Sequence, residues 1–519
     1  MRALNPYFPA LVSGLFLTLS FPDVNLYYLG FVALAPLIIS LDSMTVRQAF
    51  AAGFAAGFVH FSTLLYWIVP TLCTYGELHW ILSVSALTLL CLYLSLYPAL
   101  FAFALRKLAP PPVLFPLAGA AIWTALEWIR THLFTGFPWG VLGYSQHSNR
   151  LFIQMADITG VLGISFILVL CGTLTAMAWR LTTAGRDSRP PGTPVVICLG
   201  YTVIFLAGAY AYGMHQIGAM ARETARAPQI RIAIVQGNIR QDLKWSMAFR
   251  QATIEKYGSL SLAAARSKPD LIIWPETALP FYYGHDPLLS SQVDQYVRQA
   301  ETYFLVGSPA VDTTRDPVRY FNRVFLLNPL SIQTGFYDKT HLVPFGEYVP
   351  FQDLLFFIEK LTAEAGNFSR GDPAFIPLAF KDHQTGVLIC FEILFPDIAR
   401  QFVNNRADLL TAVTNDAWFG HTSAAAQHFS IAVLRAVENR RSVARAANTG
   451  ISGFIDPAGE VFQTTALFTD AVIVHPLPAL TRVSFYTRHG DILAVICVIA
   501  LGMGFVVKSL PYFKRRLHP

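Results

Sequence analysis

The sequence predicts a multi-pass α-helical membrane bundle of about eight helices joined to a layered α/β domain. Two observations support this fold class. Apolar stretches crowd the first 218 residues, and a long segment of ordinary globular composition follows them. Of the 519 residues, 54% are hydrophobic and only 13% are charged, about half the charged fraction of soluble domains. Much of the chain is therefore expected to lie in lipid.

Eight apolar windows are candidates for membrane helices, because one bilayer crossing needs about 20 largely apolar residues. The first two windows are short, and the first lacks a small-residue cleavage site, so we interpret it as a retained anchor. We predict a membrane domain over 1–218, an α/β domain over 219–482, and a C-terminal helix with a basic tail over 483–519. The windows lie near 8–22, 26–41, 49–70, 80–105, 112–130, 159–179, 194–214 and 491–508.

The positions of Lys and Arg predict the orientation, because short cytoplasmic loops retain positive charge. With the N-terminus inside, only Arg130 and Arg150 fall in short outer loops, and seven crossings place the α/β domain outside the cytoplasm. If one of the two short early windows does not span the membrane, this prediction fails unless the N-terminus also lies on the other side. The formal charge of +6 is dispersed over loops and tail, which argues against a nucleic-acid partner. The cytoplasmic set is Arg2, Arg47, Arg106, Lys107, Arg180, Arg186, Arg189, Lys508, Lys514, Arg515 and Arg516.

Strand-like and helix-like stretches alternate within 219–482, a pattern typical of a layered α/β domain with a largely buried sheet. The predicted helices cover 246–266, 287–300 and 423–441. The predicted strands cover 230–236, 271–274, 303–307, 323–328, 385–390 and 409–414.

Cys390 is the only one of six cysteines in this polar segment, so no disulfide can form within it. It ends a strand-like run, and residues 395–397 after it look like the start of a helix. A strand end holds a sulfur rigidly in a cleft, and a following helix N-terminus favours the thiolate. The alternative is a packed, unreactive cysteine.

Glu276 and Lys339 are the other candidates for chemistry. Glu276 follows the strand at 271–274, where a carboxylate is either a general base or a helix cap. Lys339 precedes a Pro-Phe-Gly-Glu turn, where a lysine either stabilises an oxyanion or is a solvated surface charge. Their occurrence together with Cys390 in one domain favours the catalytic interpretation.

The order of the motifs resembles the nitrilase superfamily, and in particular its membrane-embedded branch, the apolipoprotein N-acyltransferase family. Further matches at 235–239 and Trp245, and in the membrane part at 127–130, 136–139 and 143–146, extend the likeness to nearly the whole chain. Soluble nitrilases have no such membrane part. The motifs are Trp-Pro-Glu-Thr at 274–277, Lys-Thr-His-Leu-Val-Pro-Phe-Gly-Glu at 339–347, Cys-Phe-Glu at 390–392 and Asn-Asp-Ala-Trp-Phe-Gly at 415–420.

This resemblance implies an αββα sandwich with Glu276 as general base, Lys339 as the oxyanion-stabilising residue and Cys390 as nucleophile. Phe391 departs from the tyrosine that we associate with this place in the family, so no role for a hydroxyl carries over. The residues implied to support the site are Glu347, Glu392, Trp245 and Phe391.

The resemblance also implies an acyltransferase of the bacterial inner membrane with its catalytic domain on the periplasmic side. A phospholipid acyl donor would acylate Cys390 as a thioester, and the α-amine of the N-terminal diacylglyceryl-cysteine of an apolipoprotein would accept the chain. The expected partners are this donor, this acceptor and the lipid bilayer, with no nucleic acid, cofactor or metal.

Two other functions stay open. One is a membrane-tethered nitrilase-type amidase that hydrolyses a C–N bond. The other is a transporter or scaffold, against which stands the near absence of ionisable residues in the membrane stretches.

Three remaining features have two interpretations each. The apolar run at 354–358 is a buried amphipathic helix or a lid that faces lipid, and the expected lipid-facing residues are Phe281, Leu355, Phe356 and Phe357. Glu127 and Arg130 form a structural ion pair or mark a functional site. His421 and His428 are structural rather than metal ligands, because no further ligand spacing surrounds them.

Overall fold

The computed structural model describes residues 5–183, 192–314, 316–348 and 368–517, and the apolar run at 354–358 lies outside these ranges. The chain divides into two compact units. One comprises Met1–Tyr66, Val84–Ile217 and His489–Pro519, and the other comprises Trp67–Ser83 and Gly218–Arg488. Residues 67–83, which sequence reasoning assigned to the membrane domain, therefore group with the α/β unit.

The α-helices have the following bounds: α1 Phe8–Leu19, α2 Ala35–Ser40, α3 Val46–Leu64, α4 Ile68–Thr74, α5 Trp80–Leu108, α6 Phe115–His132, α7 Ala156–Thr183, α8 Gly192–Thr224, α9 Gln241–Lys244, α10 Met247–Ala265, α11 Pro287–Ala300, α12 Pro396–Asn404, α13 Ala424–Asn439, α14 Phe485–His489 and α15 Ile492–Leu517.

A multi-pass helical bundle is confirmed, with fewer long crossings than the eight predicted. Within the described ranges, five helices are long and apolar enough to cross a membrane, and the pair α3 and α4, bent by 48°, makes a sixth candidate. The first two predicted windows correspond to shorter apolar helices at Phe8–Leu19 and Tyr27–Ser43. The five are Trp80–Leu108, Pro112–His132, Phe152–Thr183, Gly192–Thr224 and Ile492–Leu510.

Small residues allow close helix packing in the first unit. A Cβ atom at Gly53 of α3 would overlap the carbonyl oxygen of Pro98 in α5, and one at Gly57 would lie 2.9 Å from the Cα atom of Ser95. Such contacts are typical of helices that associate through van der Waals packing in lipid.

Glu127 and Arg130 near the end of α6 are both buried and bind backbone groups of the loop that follows. Arg130 Nη1 donates to the carbonyl oxygens of Phe137 (3.0 Å) and Trp139 (2.6 Å), and Glu127 Oε1 accepts from the Leu142 N–H (2.8 Å). The pair therefore anchors residues 137–142, which favours the structural interpretation.

The α/β unit contains twelve strands: β1 Gln229–Gln236, β2 Leu271–Ile273, β3 Tyr303–Asp312, β4 Arg319–Leu327, β5 Gln333–Asp338, β6 Leu378–Phe380, β7 His383–Ile389, β8 Leu409–Thr414, β9 Ser442–Ala447, β10 Gly453–Ile455, β11 Val461–Phe462 and β12 Ala471–Pro478.

These strands form two six-stranded sheets, ordered β12-β1-β2-β3-β4-β5 and β11-β10-β9-β8-β7-β6. Each sheet has a parallel centre, β1-β2-β3 in one and β7-β8-β9 in the other, with antiparallel strands on both flanks. β1 contacts β9 across the two sheets, while α10 covers one outer face and α12 and α13 cover the other. The predicted αββα sandwich is confirmed.

The central strands are buried, and their side chains are mostly apolar on both faces. All three residues of β2 and all six of β8 are buried, as expected for parallel strands covered on each side. The carboxyl ends of such strands open onto one edge of the sheet, where ligands bind in many α/β proteins.

Candidate active site

Each of the three predicted catalytic residues follows a strand. Glu276 lies three residues after β2, Lys339 directly after β5, and Cys390 directly after β7. The Glu276 and Lys339 side chains are almost inaccessible, at 7% and 1% exposure, whereas Cys390 is partly exposed. Short loops at the strand ends thus bring these residues together on rigid supports.

Lys339 lies between two carboxylates. Its Nζ atom is 3.2 Å from Glu276 Oε1 and 2.9 Å from Glu347 Oε1. The Asn322 amide donates to the same two oxygens, at 2.8 Å and 3.1 Å. The Asn415 N–H, at the end of β8, donates to Glu276 Oε2 at 2.9 Å. Both oxygens of Glu276 are therefore held in place.

The charges of this cluster stabilise one another. Burial acts to raise the pKa of Glu276, but Lys339, the Asn322 hydrogen bond and Lys244 outweigh it, and the pKa falls below its usual value. Burial acts to lower the pKa of Lys339, but the carboxylates of Glu276 and Glu347 outweigh it and raise that pKa. At neutral pH Glu276 is an ionised base beside a permanent ammonium.

Cys390 has a left-handed backbone, with φ of +52°, which is uncommon for a residue with a Cβ atom. Hydrogen bonds hold the chain on both sides of this turn. The Ile389 N–H donates to Glu392 Oε2 at 2.8 Å, and the Cys390 carbonyl oxygen lies 3.2 Å from His428 Nε2. A carbonyl oxygen only accepts, so His428 is protonated at Nε2 in this contact.

The pKa of the Cys390 thiol is raised, contrary to the expectation that a helix N-terminus would favour the thiolate. Burial is the largest cause, the Glu276 carboxylate raises the pKa further, and Lys339 partly opposes both. Cys390 begins a short 3-10 turn to Leu394, and α12 starts only at Pro396. The resting thiol is therefore protonated, and it would need a base to act as a nucleophile.

Glu392 connects the loop that contains Cys390 to the loop that contains Lys339. Besides Ile389, its carboxylate accepts from the Tyr337 hydroxyl (2.9 Å), from the N–H and hydroxyl of Thr340 (2.7 and 2.8 Å) and from the His341 N–H (3.1 Å). Glu392 therefore fixes the end of β7 relative to the end of β5.

Phe391 packs its ring against other aromatic rings. Its ring centroid lies 5.9 Å from that of His341 and 5.3 Å from that of Phe395. The ring thus occupies a small aromatic cluster beside the loop that carries Lys339.

Sequence reasoning missed a second buried group of charges. Asp416 Oδ1 accepts from the Thr414 hydroxyl at 2.8 Å and lies 3.1 Å from His428 Nδ1, and Asp416 Oδ2 accepts from Arg445 Nη2 at 2.8 Å. Through His428 this group reaches the Cys390 carbonyl. Asp416 belongs to the quoted motif at 415–420, so its place after β8 was the available signal.

The two predicted structural histidines lie in different surroundings. His428 lies within α13, whereas His421 precedes that helix and stacks 4.2 Å from the Phe468 ring. Within the described ranges, no three His, Cys, Asp or Glu side chains are grouped to hold a metal ion.

Lys244 is another residue that the sequence did not indicate. It is buried, its Nζ atom donates to the Thr277 hydroxyl at 2.6 Å, and its charge contributes to the lowered pKa of Glu276. Trp245 follows it, and the Trp245 ring lies 6.0 Å from the Lys244 ammonium. Trp245 thereby borders the loop that carries Glu276.

Of the expected lipid-facing residues, only Phe281 can be described. It is 4% exposed and belongs to the core of the first sheet, so it differs from the exposed rim residue that was expected. The reason is local: the Phe281 carbonyl oxygen accepts from the buried Ser308 hydroxyl at 2.8 Å, which turns this segment against β3. Leu355, Phe356 and Phe357 lie outside the described residues.

The chain is similar to known proteins along its whole length. A family model described as the apolipoprotein N-acyltransferase N-terminal domain matches residues 13–174, and a carbon-nitrogen hydrolase model matches residues 231–483. A crystal structure of an amidase from Nesterenkonia sp. covers 51% of this chain and 94% of that chain, with 18% identity and a TM-score of 0.39.

Curated relatives cover nearly all of the chain. The apolipoprotein N-acyltransferase of Geobacter metallireducens is 39% identical over 513 residues, which make up 99% of this chain and 96% of that protein. The protein of the same name from Photobacterium profundum is 32% identical over 93% of this chain and 91% of its own length. That of Nitrosomonas europaea is 32% identical over 99% of both. With such identity over its full length, the chain belongs to the apolipoprotein N-acyltransferase family.

Proposed function

We propose that this acyltransferase moves a fatty acyl chain from a membrane phospholipid, through a thioester on Cys390, to the N-terminal amine of a diacylated apolipoprotein. The observation that carries the proposal is the meeting of Glu276, Lys339 and the Cys390 loop at the strand ends. Family membership supports acyl transfer to a lipoprotein as the overall reaction.

In the first step, the Cys390 sulfur attacks the ester carbonyl carbon of the phospholipid while its proton passes to the Glu276 carboxylate. The oxyanion that forms is stabilised by the Lys339 ammonium. The ester C–O bond then breaks, and the protonated Glu276 returns its proton to the leaving alkoxide. The products are a thioester on Cys390 and a lysophospholipid.

In the second step, the α-amine of the apolipoprotein attacks the thioester carbonyl. Glu276 takes a proton from the amine, Lys339 again faces the oxyanion, and the C–S bond breaks. The Cys390 thiolate recovers the proton held by Glu276. One base and one ammonium thus serve both half-reactions, because each passes through an oxyanion of the same charge.

The amidase alternative shares only the fold with this chain. It would use water in the second step and a small soluble substrate in the first. A single experiment separates the two functions, because they differ in both the acyl donor and the acceptor.

The decisive measurement is mass spectrometry of the purified protein after incubation with a phospholipid. We expect a mass increase of one acyl group on the peptide that contains Cys390. Addition of a diacylated N-terminal lipopeptide should discharge it as an N-acyl product, much faster than water does. Absence of the adduct, or equal discharge by water alone, would contradict the proposal.

We also propose that the protein lies in the bacterial inner membrane with its α/β unit on the periplasmic side, following the distribution of Lys and Arg. A cysteine introduced at the exposed Thr314 should react with a membrane-impermeant maleimide in intact cells, above the background of the unmodified protein. A cysteine in place of the exposed Arg47, on the predicted cytoplasmic side, is the matched control. The reverse labelling pattern would overturn this orientation.

A further inference from the structure

A cavity of about 250 Å³ lies in the α/β unit beside the residues that position Glu276. Trp245, on its wall, follows Lys244, whose ammonium binds Thr277. Tyr282 lines the cavity six residues after Glu276, and Tyr320 lines it two residues before Asn322. The cavity is therefore built from the same loops and strand as the base.

The cavity contains charges of both signs. Arg250, His285 and Asp286 line it together with aromatic rings. The Nε atom of Arg250 is buried without a hydrogen-bond partner among the residues that the structure describes. A buried N–H donor without a hydrogen-bond partner costs free energy of folding. The unpaired Nε atom of Arg250 therefore indicates that an anionic ligand binds this guanidinium.

Asp286 supplies the opposite charge at the same cavity. Its Oδ1 atom accepts from the Leu289 N–H at 3.1 Å and caps α11. The Asp286 side chain makes no other hydrogen bond to the described part of the chain, so its second carboxylate oxygen remains available to a cation. The Trp245, Tyr282 and Tyr320 rings add faces that attract a cation.

Exposed apolar side chains flank these charged residues along the chain. Met247 and Phe249, just before Arg250, are 79% and 42% exposed, and Leu288, two residues after Asp286, is 71% exposed. Charged groups inside a cavity with apolar neighbours outside are the pattern expected where a site meets the headgroup level of a membrane.

We infer that this cavity binds the zwitterionic headgroup of the phospholipid acyl donor, with Arg250 on the phosphodiester and Asp286 on the ammonium. This inference rests on the proposed function. The charged residues on its wall favour a headgroup rather than an acyl chain. Binding the headgroup here would place the donor beside Glu276.

The test uses vesicles of dioleoyl phosphatidylethanolamine or dioleoyl phosphatidylglycerol, which carry the same acyl chains, and follows lysophospholipid release by the full-length protein. Arg250→Gln should raise KM about tenfold for both lipids, because both contain the phosphodiester. Asp286→Asn should raise KM for the ethanolamine lipid alone, since asparagine still caps α11. The matched control is Arg266→Gln, which replaces an exposed arginine at the end of α10. It should change the KM for neither lipid.

The outcomes separate the inference from the proposed function. If the unaltered protein releases no lysophospholipid from either lipid, both are overturned. If it does, and Arg250→Gln behaves like Arg266→Gln, the headgroup inference alone is overturned. It is equally overturned if Arg250→Gln slows only the discharge of the acyl group by lipopeptide, because the cavity would then serve the acceptor.

A measurement on the unaltered protein guards against misfolding of the variants. Soluble glycerophosphoethanolamine should compete with the ethanolamine lipid and raise its apparent KM. Inorganic phosphate at the same concentration should compete much less. Equal inhibition by the two, or none by either, would contradict a headgroup site.

Discussion

Glu276 and Glu392 are both buried glutamates next to the nucleophile loop, yet their surroundings drive their pKa values in opposite directions. Glu276 meets the Lys339 ammonium, and its pKa is lowered. Glu392 meets mainly neutral N–H and hydroxyl donors, and burial raises its pKa because those hydrogen bonds do not fully offset it. The cation beside Glu276 keeps this carboxylate ionised, so that it is available as a proton acceptor. The neutral donors around Glu392 instead hold its carboxylate in a fixed position.

Removal of the proposed nucleophile, Cys390, should have the largest effect. Cys390→Ser should lower acyl-enzyme formation at least ~10³-fold, because a hydroxyl is far less ionised than a thiol. The measurement is adduct mass after incubation with phospholipid, with an unchanged melting temperature as the control. Substantial turnover by the folded variant would show that Cys390 is not the nucleophile.

Glu276→Gln tests the proton acceptor. The unaltered protein should acylate at a nearly constant rate between about pH 6 and pH 8, since the lowered pKa keeps Glu276 ionised there and activity is lost only as the pH falls through that pKa. The variant should be up to ~10⁴-fold slower. Its remaining rate should rise about tenfold per pH unit, because the thiol with its raised pKa must then ionise unaided. A flat profile in the variant would assign the base elsewhere.

Lys339→Ala removes the cation that distinguishes the two glutamates. We expect a loss of about 10²–10³ in acylation rate through the missing oxyanion stabilisation. The pKa of Glu276 should also rise, so activity should fall at a higher pH than in the unaltered protein. The control is Lys381→Ala, which removes the charge of an exposed lysine that pairs with Asp270. This variant should acylate normally. Normal acylation by Lys339→Ala would refute the assignment.

The sequence predicted β1, β2, β3, β4, β7 and β8 because they contain apolar runs, but it missed β9, which belongs to the parallel centre of its sheet. β9 reads Ser-Val-Ala-Arg-Ala-Ala, which favours a helix by composition, yet all six residues are buried between β8 and β10. β11 has only two residues, too few for a periodic pattern. These strands form because of tertiary packing, which cannot be predicted from local composition.

The same limit applies to the site. Glu276 and Cys390 follow strands that are visible in the sequence, so the strand-end rule found them. Asn322 lies inside β4 and contacts Glu276 across 46 positions of sequence, and no local pattern marks it. His428 reaches Cys390 from α13 across 38 positions. Contacts between distant segments became visible only in the folded unit.

Glu392→Gln tests the anchor. Its amide nitrogen would face one of the N–H or hydroxyl donors, which should cost about 1–3 kcal/mol of stability. A small shift of the Ile389 and Cys390 backbone should slow acylation about tenfold. The pH profile should remain as flat as that of the unaltered protein, because Glu276 is intact. A profile that rises with pH, as in Glu276→Gln, would show that both glutamates act as bases. The proposed difference between their roles would then be wrong.

The smallest effect is expected from Phe391→Tyr, which restores the hydroxyl that we associate with this place in the family. The ring packs against the rings of Phe395 and His341. An added hydroxyl at a partly exposed position changes free energy by about ±0.5 kcal/mol, which is about twofold in rate. Phe391→Ala, which removes the ring, should be clearly slower and less stable. If Phe391→Tyr instead accelerated acylation by an order of magnitude, the hydroxyl would be a missing catalytic group, and the nucleophile loop would contribute chemistry as well as position.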